Sequence, residues 1–294
     1  MLAGLSAFAL TPMDNAGVVD VDHLARLVAR LAATDVASVG VLGSTGSYMY
    51  LSAAERARAI AAAVQAAGQT PVLAGIGALR TSDVVAHAKA AEAAGASALL
   101  LAPVCYLPLT DRDVLELVET VSSATSLPLY LYNNPTTTGF TIGCSVVAAA
   151  SAKSQVQGLK NPAPQTVAAT KAELARLREC VPEGFVIGYS GDALIDGPLA
   201  SGADAWYSVV AGVLPDVALE LWRARGDVGR VTALHKRADP LWKLFNTHGS
   251  IRVVPHIAEL LGLGSLPLPL PLQPLAPKVV GEIDAALDAL KAPA

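Results

Sequence analysis

Short apolar segments alternate with longer alanine-rich segments through most of the chain. The apolar segments are rich in Val, Leu and Tyr and contain few polar residues, a composition typical of parallel strands that are buried on both faces. Eight such segments are present: Leu5–Leu10, Ala37–Leu42, Pro71–Ala74, Ala98–Leu101, Pro128–Tyr132, Val156–Leu159, Phe185–Tyr189 and Ala205–Val209. A strand followed by a helix, repeated eight times over about 220 residues, predicts an α/β fold of the (β/α)8 TIM-barrel type.

Helical patterns lie between the predicted strands. The clearest of them cover Asp20–Ala33, Ser52–Ala67 and Asp111–Ser123. Ser52 is followed three residues later by Glu55, which is the spacing of a capping box, and Thr110 and the segment Thr81–Asp83 predict further helix starts. A doubly wound sheet is the alternative fold. Its glycine fingerprint is matched only weakly, by GIGALR after the third predicted strand rather than the first.

The alternation ends near residue 222. Three helices without intervening strands are predicted after it, over Val228–Asn246, Ile251–Leu261 and Lys278–Leu290. The segment Leu266–Pro277 is rich in proline, which removes backbone donors and forbids helix. It therefore predicts an extended connector packed on the protein, with a proline-rich recognition motif as the alternative. We expect residues 1–222 to form a catalytic barrel and residues 223–294 a small C-terminal helical bundle.

Composition and charge exclude several classes of protein. Hydrophobic residues make up 53% of the chain and charged residues 16%, which suits a large core and is too apolar for a disordered chain. The net charge is −4 and no stripe of Lys or Arg is present, which argues against a nucleic-acid partner. No apolar run reaches the ~18 residues of a membrane span. The apolar N-terminus lacks a preceding basic segment, so it predicts a first strand rather than a signal peptide.

The cysteines and histidines do not predict a disulfide framework or a metal site. Cys105, Cys144 and Cys180 are widely spaced, which is typical of buried thiols in a reducing compartment, and we expect a cytoplasmic protein. The five histidines show neither HxxxH nor HExxH spacing. Carbanion chemistry without a metal needs a covalent electron sink, which directs attention to the lysines.

Candidate functional groups follow three of the predicted strands, and the C-terminal ends of barrel strands are where such groups meet. Strand six ends in Lys160, the only one of eight lysines that closes a predicted strand. Desolvation there would lower the pKa of its amine and free it to form a Schiff base with a carbonyl. The alternative is a strand-end lysine whose amine reaches solvent.

Two further features would complete such a site. Tyr132 ends strand five and could move protons, although a core tyrosine with a bonded hydroxyl is the alternative. Strand two leads into the turn GSTG, where backbone N–H groups and the hydroxyls of Ser44 and Thr45 could hold a carboxylate or phosphate. A simple tight turn is the alternative there. A Schiff-base lysine beside a carboxylate site indicates a 2-oxo acid such as pyruvate.

These residues lie in motifs that resemble the dihydrodipicolinate synthase and N-acetylneuraminate lyase superfamily of class I pyruvate-dependent aldolases. The matching motifs, in chain order, are FALTPMDNAGVVD, GSTG, LSAAER, LLLAPVCY, LPLYLYNNP, GLK and GYSGDALIDGPLASGADAWYS. The resemblance implies that Lys160 forms the Schiff base, with no other cofactor, and that Tyr132 is the general acid/base. It implies that Ser44 and Thr45 bind the substrate carboxylate and orient Tyr132. It also implies that Tyr106 completes a proton relay across the dimer interface of a homotetramer, a dimer of dimers.

The chain departs from the lysine-pathway synthases of that superfamily on the acceptor side. Ser47 stands where those synthases have glutamate, and Tyr48 and Met49 follow it. Thr137 stands where they carry an arginine that grips the carboxylate of the aldehyde, and an arginine clamp is not replaced by a hydroxyl. The sequence TTTG resembles the hydroxylic residues of sugar-acid lyases, so Thr137 becomes a candidate substrate-binding residue. Tyr207 places a ring where many members keep an aliphatic side chain and is a second candidate.

The function expected from these features is a class I lyase, aldolase or dehydratase. It would act on pyruvate or another 2-oxo acid, with an unidentified aldehyde or sugar acid as the other partner. The first alternative is a 4-hydroxy-tetrahydrodipicolinate synthase, which joins pyruvate to aspartate semialdehyde. The second alternative is a non-catalytic, ligand-binding paralogue, although a binder would have no need of the nucleophile.

Overall fold

Eight parallel strands form a closed barrel in the computed structural model, which describes residues 1–14 and 16–291. The strands are β1 (Gly4–Phe8), β2 (Ser38–Val41), β3 (Val72–Gly75), β4 (Ala98–Leu101), β5 (Leu129–Tyr132), β6 (Val156–Pro162), β7 (Val186–Ser190) and β8 (Ala205–Ser208). Each strand pairs with the next in chain order, and β8 pairs with β1. The predicted (β/α)8 barrel is therefore confirmed, with all eight strands at the predicted segments.

The strand β6 continues beyond its predicted end. The apolar pattern stops at Leu159, whereas the ladder with β7 continues to Pro162, which pairs with Ser190. The polar residues Lys160 and Asn161 continue the strand because each side chain has an environment of its own, the barrel interior for the lysine and side-chain partners for the asparagine. The lysine is consequently an internal residue of the ladder and not its last residue.

The helices that surround the barrel are α1 (Val21–Ala32), α2 (Ala53–Ala67), α3 (Thr81–Ala93), α4 (Asp111–Ser122), α5 (Pro135–Thr138), α6 (Cys144–Ser151), α7 (Val167–Cys180), α8 (Asp196–Ser201) and α9 (Pro215–Arg223). The capping box of Ser52 and Glu55 is present at the start of α2, and Thr110 forms another with Asp113 at α4. The start of α3 lies in the predicted segment Thr81–Asp83, but the prediction that these residues cap the helix is wrong. The helix already begins at Thr81, and its N-cap residue Arg80 makes no side-chain capping bond.

Three aromatic rings fill the barrel interior. Phe8, Tyr130 and Tyr207 point inward from β1, β5 and β8 and are almost completely buried. Each packs against a glycine of another strand, namely Gly40, Gly158 and Gly188. A Cβ atom on any of these glycines would lie 2.5–2.6 Å from the facing ring. The glycines are therefore required because close-packed interiors leave no room for another side-chain atom.

Four helices follow the barrel: α10 (Val228–Arg237), α11 (Asp239–His248), α12 (Ser250–Leu260) and α13 (Pro277–Lys291). The single helix predicted over Val228–Asn246 is thus two helices. The break falls at Ala238, and Pro240 occupies the first turn of α11, where its missing N–H has no intrahelical partner to lose. The predicted boundary at residue 222 lies next to the last residue of α9, and the division into two domains stays a prediction.

The proline-rich connector between α12 and α13 forms neither helix nor strand up to Pro277, where α13 begins. Leu266 is buried within it, and the preceding loop is held by a contact of 2.6 Å between His23 Nε2 and the Leu263 carbonyl oxygen. The buried Leu266 agrees with the prediction of an extended connector packed on the protein.

The cysteines are less buried than predicted. All three carry free thiols and are half-buried, since Cys144 and Cys180 occupy helix ends and Cys105 a loop.

Within residues 1–14 and 16–291, no helix is long and apolar enough to cross a membrane. Over the same residues, no group of three or more His, Cys, Asp or Glu side chains is placed to hold a metal ion.

Candidate active site

A cavity of about 630 Å³ opens at the C-terminal ends of the barrel strands. The four residues that sequence analysis placed at the strand ends line it together: Ser44, Thr45, Tyr132 and Lys160. The chain brings them to one place because parallel strands of a closed barrel all end at the same rim.

Lys160 points from β6 into the barrel, and only 3% of its surface is exposed. Its Nζ atom lies 3.9 Å from the centre of the Phe8 ring and 4.4 Å from that of Tyr132. Burial lowers the pKa of the amine because a charged ammonium is poorly solvated there, although the nearby Tyr132 and Asp192 partly oppose this effect. The alternative of an amine that reaches bulk solvent is therefore wrong.

Tyr132 is held by two hydrogen bonds at its hydroxyl. Asn134 Nδ2 donates to Tyr132 Oη over 2.8 Å, and Ser44 Oγ and Tyr132 Oη share a bond of 3.2 Å. Burial alone would raise the pKa of the phenol, but the charge of Lys160 and these two bonds outweigh it and lower the pKa. The charge contributes only while the Lys160 amine is protonated. The phenol is thus positioned to exchange a proton with a group at the Lys160 amine.

The turn after β2 carries the two candidate anion-binding hydroxyls. Its backbone is left-handed at Leu42 and Ser47, each with φ +55°, which bends the chain sharply over the cavity. Thr11 Oγ1 donates to the Gly46 carbonyl oxygen over 2.7 Å and fixes the turn from the loop after β1. Ser44 and Thr45 consequently stand on a braced turn beside the lysine and the tyrosine.

Asp192 also lines the cavity and was missed by sequence analysis. Its buried carboxylate accepts hydrogen bonds from Trp206 Nε1 at 2.9 Å and from the Val209 and Val210 amides at 3.1 and 2.8 Å. Burial raises the pKa of this carboxyl, and the three donors work against that rise. Its position in the loop after strand seven, at the same rim as the other groups, was the available signal.

The remaining predicted site residues occupy different places. Thr137 is exposed at the cavity wall, and its contact with substrate stays a prediction. Tyr207 does not line the cavity, because it lies in the barrel interior with its ring centre 5.8 Å from Lys160 Nζ. It therefore forms part of the support beneath the lysine, and the prediction that it contacts substrate is corrected. Tyr106 is 90% exposed and lies outside the cavity of its own chain.

The far wall of the cavity comes from the C-terminal helices. Phe245 and Asn246 from α11 and Ser250 and Ile251 from α12 line it. These residues carry no signal of their role in the sequence, because no local pattern reveals which helix faces a distant strand end. Among the described residues that line the cavity, Lys160 is the only one with a basic side chain, and no arginine is present.

Comparison with known proteins identifies the family of the chain. The model of the dihydrodipicolinate synthetase family matches residues 1–290. A 4-hydroxy-tetrahydrodipicolinate synthase of Methanothrix thermoacetophila is 30% identical over 279 residues, covering 94% of this chain and 92% of that protein. Another, of Methylococcus capsulatus, is 33% identical over 246 residues and 82% of each chain. The crystal structure of a dihydrodipicolinate synthase from Agrobacterium tumefaciens is 47% identical, with a TM-score of 0.95 over 98% of both chains. The chain therefore belongs to the dihydrodipicolinate synthetase family and is an aldolase-type lyase.

Proposed function

We propose that this lyase works through a Schiff base between Lys160 and pyruvate or another 2-oxo acid. The observation that carries the proposal is a buried amine of lowered pKa next to a phenol that is fixed by two hydrogen bonds. No cofactor beyond this covalent bond is required, because the iminium itself is the electron sink.

The neutral Lys160 amine attacks the C2 carbonyl carbon, and the carbonyl oxygen gains a proton. The nitrogen loses one proton, and the new hydroxyl gains a second proton and leaves as water, so that the nitrogen lone pair forms the C=N bond of a protonated iminium. Loss of a proton from C3 then gives an enamine, whose C3 bonds to an aldehyde carbon in the synthetic direction while the aldehyde oxygen takes up a proton. Water then hydrolyses the resulting iminium and returns the free amine. Cleavage runs through the same steps in reverse. Tyr132 is the group in contact with this region that can give and take these protons.

The substrate carboxylate is assigned to the turn with Ser44 and Thr45. Both hydroxyls line the cavity, and Ser44 is already bonded to Tyr132 Oη. A carboxylate bound there would hold C2 close to the buried amine. The same contact orients the phenol, so substrate binding and proton transfer are coupled through one hydroxyl.

The acceptor side favours a neutral, hydroxylated partner such as a sugar-acid fragment. Apart from Lys160, Tyr132 and Asp192, the polar side chains that line the cavity are amides and hydroxyls: Ser44, Thr45, Asn134, Thr136, Thr137, Gln165, Ser190, Asn246 and Ser250. A second carboxylate, such as that of aspartate semialdehyde, would have no cation to meet it there other than Lys160. The second candidate activity is that of a 4-hydroxy-tetrahydrodipicolinate synthase, because the relatives carry that name. Absence of turnover with aspartate semialdehyde would remove it.

A homotetramer built from dimers is also proposed, as the role assigned to Tyr106 requires. Exposed apolar side chains occupy the loops after three adjacent strands: Met49, Tyr50, Leu79, Tyr106 and Leu107. Large apolar clusters on a surface mark contacts with other chains. A second copy facing these loops would cover them and would bring its Tyr106 near the Ser44 side of the site.

Trapping tests the proposal directly. The protein is incubated with pyruvate, treated with borohydride and weighed intact by mass spectrometry. We expect an adduct that disappears in Lys160→Ala and persists in Lys153→Ala, a matched control on a surface lysine paired with Glu119. No adduct on the unmodified protein would reject Schiff-base chemistry and favour the ligand-binding alternative.

A further inference from the structure

A chain of side-chain hydrogen bonds lies on the outer side of the barrel, behind the two reactive residues. Asn133 follows Tyr132 and Asn161 follows Lys160, and the two amides are only 5% and 3% exposed. Asn133 Nδ2 donates to Asn161 Oδ1 over 2.6 Å. Because side chains alternate along a strand, an outward residue comes directly after each inward reactive one.

The chain of bonds continues in both directions. The Ile142 amide donates to Asn133 Oδ1 over 2.9 Å, and Asn161 Nδ2 donates to Glu173 Oε2 on α7 over 2.8 Å. A backbone N–H can only donate and a carboxylate can only accept, so the two ends fix the orientation of both amides. Every bond in the series therefore points the same way, with the donor on the side of Ile142 and the acceptor on the side of Glu173. The series runs from the loop before α6, across the ends of β5 and β6, to α7.

We propose that this chain of bonds, Ile142–Asn133–Asn161–Glu173, is a brace that sets Tyr132 Oη against Lys160 Nζ. Asn133 and Asn161 are then positioning residues, since neither lines the cavity. The inference rests on the Schiff-base function proposed above.

The ladder between β5 and β6 gives an independent reason for a brace. Its register shifts between Leu129 and Tyr130, so the two strands are not regularly paired below the reactive level. Above the shift, Tyr132 pairs with Lys160, and the Asn133 amide donates to the Lys160 carbonyl oxygen over 2.9 Å. The side-chain bond between the next two residues clamps the strands just beyond this pair, where a small displacement would separate phenol and amine.

The orientation of the amides provides the test. Asn133→Asp keeps the acceptor for the Ile142 amide but removes the donor and places a carboxylate against Asn161 Oδ1. In the double variant with Glu173→Gln, the Asn161 amide can turn over. It then donates to the carboxylate at 133 and accepts from the new amide at 173. Glu173→Gln alone keeps an acceptor for Asn161 Nδ2 and should be nearly neutral.

The measured quantity is the rate of borohydride-trapped adduct formation at saturating pyruvate, with thermal unfolding recorded for every variant. We expect Asn133→Asp to slow trapping about 10- to 100-fold, as a misplacement near 1 Å does. The apparent affinity for pyruvate should change little, because Ser44 and Thr45 are untouched. Glu173→Gln should stay within about twofold, and the double variant should recover most of the rate. Ser38→Ala, which breaks the buried Ser38–Ser6 bond of 2.9 Å, is the control for lost stability alone.

The outcomes separate the two proposals. A folded Asn133→Asp that traps pyruvate at the unmodified rate overturns the brace, and so does a double variant that folds but stays slow. If Asn133→Asp does not fold, the double variant must fold and trap near the normal rate, and its failure to do so also overturns the brace. Lack of adduct on the unmodified protein instead rejects the Schiff-base function, and the brace with it.

Discussion

Replacing Tyr132 by phenylalanine isolates the proposed proton-transfer group. The change removes one oxygen atom and leaves the ring, which lies 4.4 Å from Lys160 Nζ. Two hydrogen bonds are lost, those with Ser44 and Asn134. At about 0.5–1.5 kcal/mol net for each bond, the free energy of unfolding should fall by about 1–3 kcal/mol. The lower end is expected, because Asn134 is partly exposed and can bind water instead.

The effect on chemistry should be larger than the effect on folding. A positioned acid/base group is worth about 10²–10⁴-fold in rate, which corresponds to roughly 2.7–5.4 kcal/mol on the barrier. The exchange of the pyruvate methyl hydrogens for deuterium, followed by proton NMR in D₂O, measures enamine formation without knowledge of the acceptor. We expect Tyr132→Phe to slow this exchange by that factor while the protein stays folded.

Tyr130→Phe is the matched control. It lies two residues earlier on β5, is equally buried, and loses the bond that its hydroxyl accepts from the Leu2 amide. Its hydroxyl is at the opposite end of the barrel, so exchange should be unchanged. Normal exchange in Tyr132→Phe would show that another group moves the proton. Equal slowing in both variants would assign the effect to lost packing.

Three further outcomes are expected. The rate of borohydride trapping should rise with pH through a midpoint below the ordinary lysine pKa of about 10.4, because burial lowers the pKa of Lys160 and the free amine is the nucleophile; a midpoint at the ordinary value would contradict this. Asp192→Asn removes a charge that raises that pKa, so the midpoint should move to still lower pH, and an upward shift would refute the assignment. Leu107→Asp places a charge on a side chain that is 71% exposed. Sedimentation should then show a smaller assembly than the unmodified protein forms, whereas an unchanged assembly would show that this face is free in solution.

The predictability of the barrel follows from how its strands are buried. Strands covered on both faces are continuous apolar runs, so their number and order were readable directly from the chain. The end of β6 was not readable, because Lys160 and Asn161 are polar for reasons that only the assembled site and the brace supply. The helix break at Ala238 was not predicted, because its only sequence signal is one proline within an otherwise helical pattern of apolar residues.

The candidate site was predictable only where it follows strand ends. Lys160, Tyr132 and the Ser44–Thr45 turn come together because topology alone brings strand ends to one rim. Asp192 follows the same rule but stands in a glycine-containing loop without a distinctive neighbour. Phe245 and Asn246 could not be assigned, since their position depends on how α11 packs across the barrel mouth.

The environment of Lys160 has opposite consequences for its free and its substrate-bound forms. Desolvation opposes any positive charge there, and the amine avoids that cost by losing its proton, which also makes it a nucleophile. An iminium formed with a 2-oxo acid must keep its N–H proton to act as an electron sink, so its positive charge has to be stabilised where it forms. The faces of Phe8 and Tyr132 lie within 3.9–4.4 Å of the nitrogen, and aromatic faces attract cations. The charge of Asp192, fixed by three N–H donors, adds to this attraction. The same residues can therefore surround a neutral amine before reaction and a protonated iminium after it.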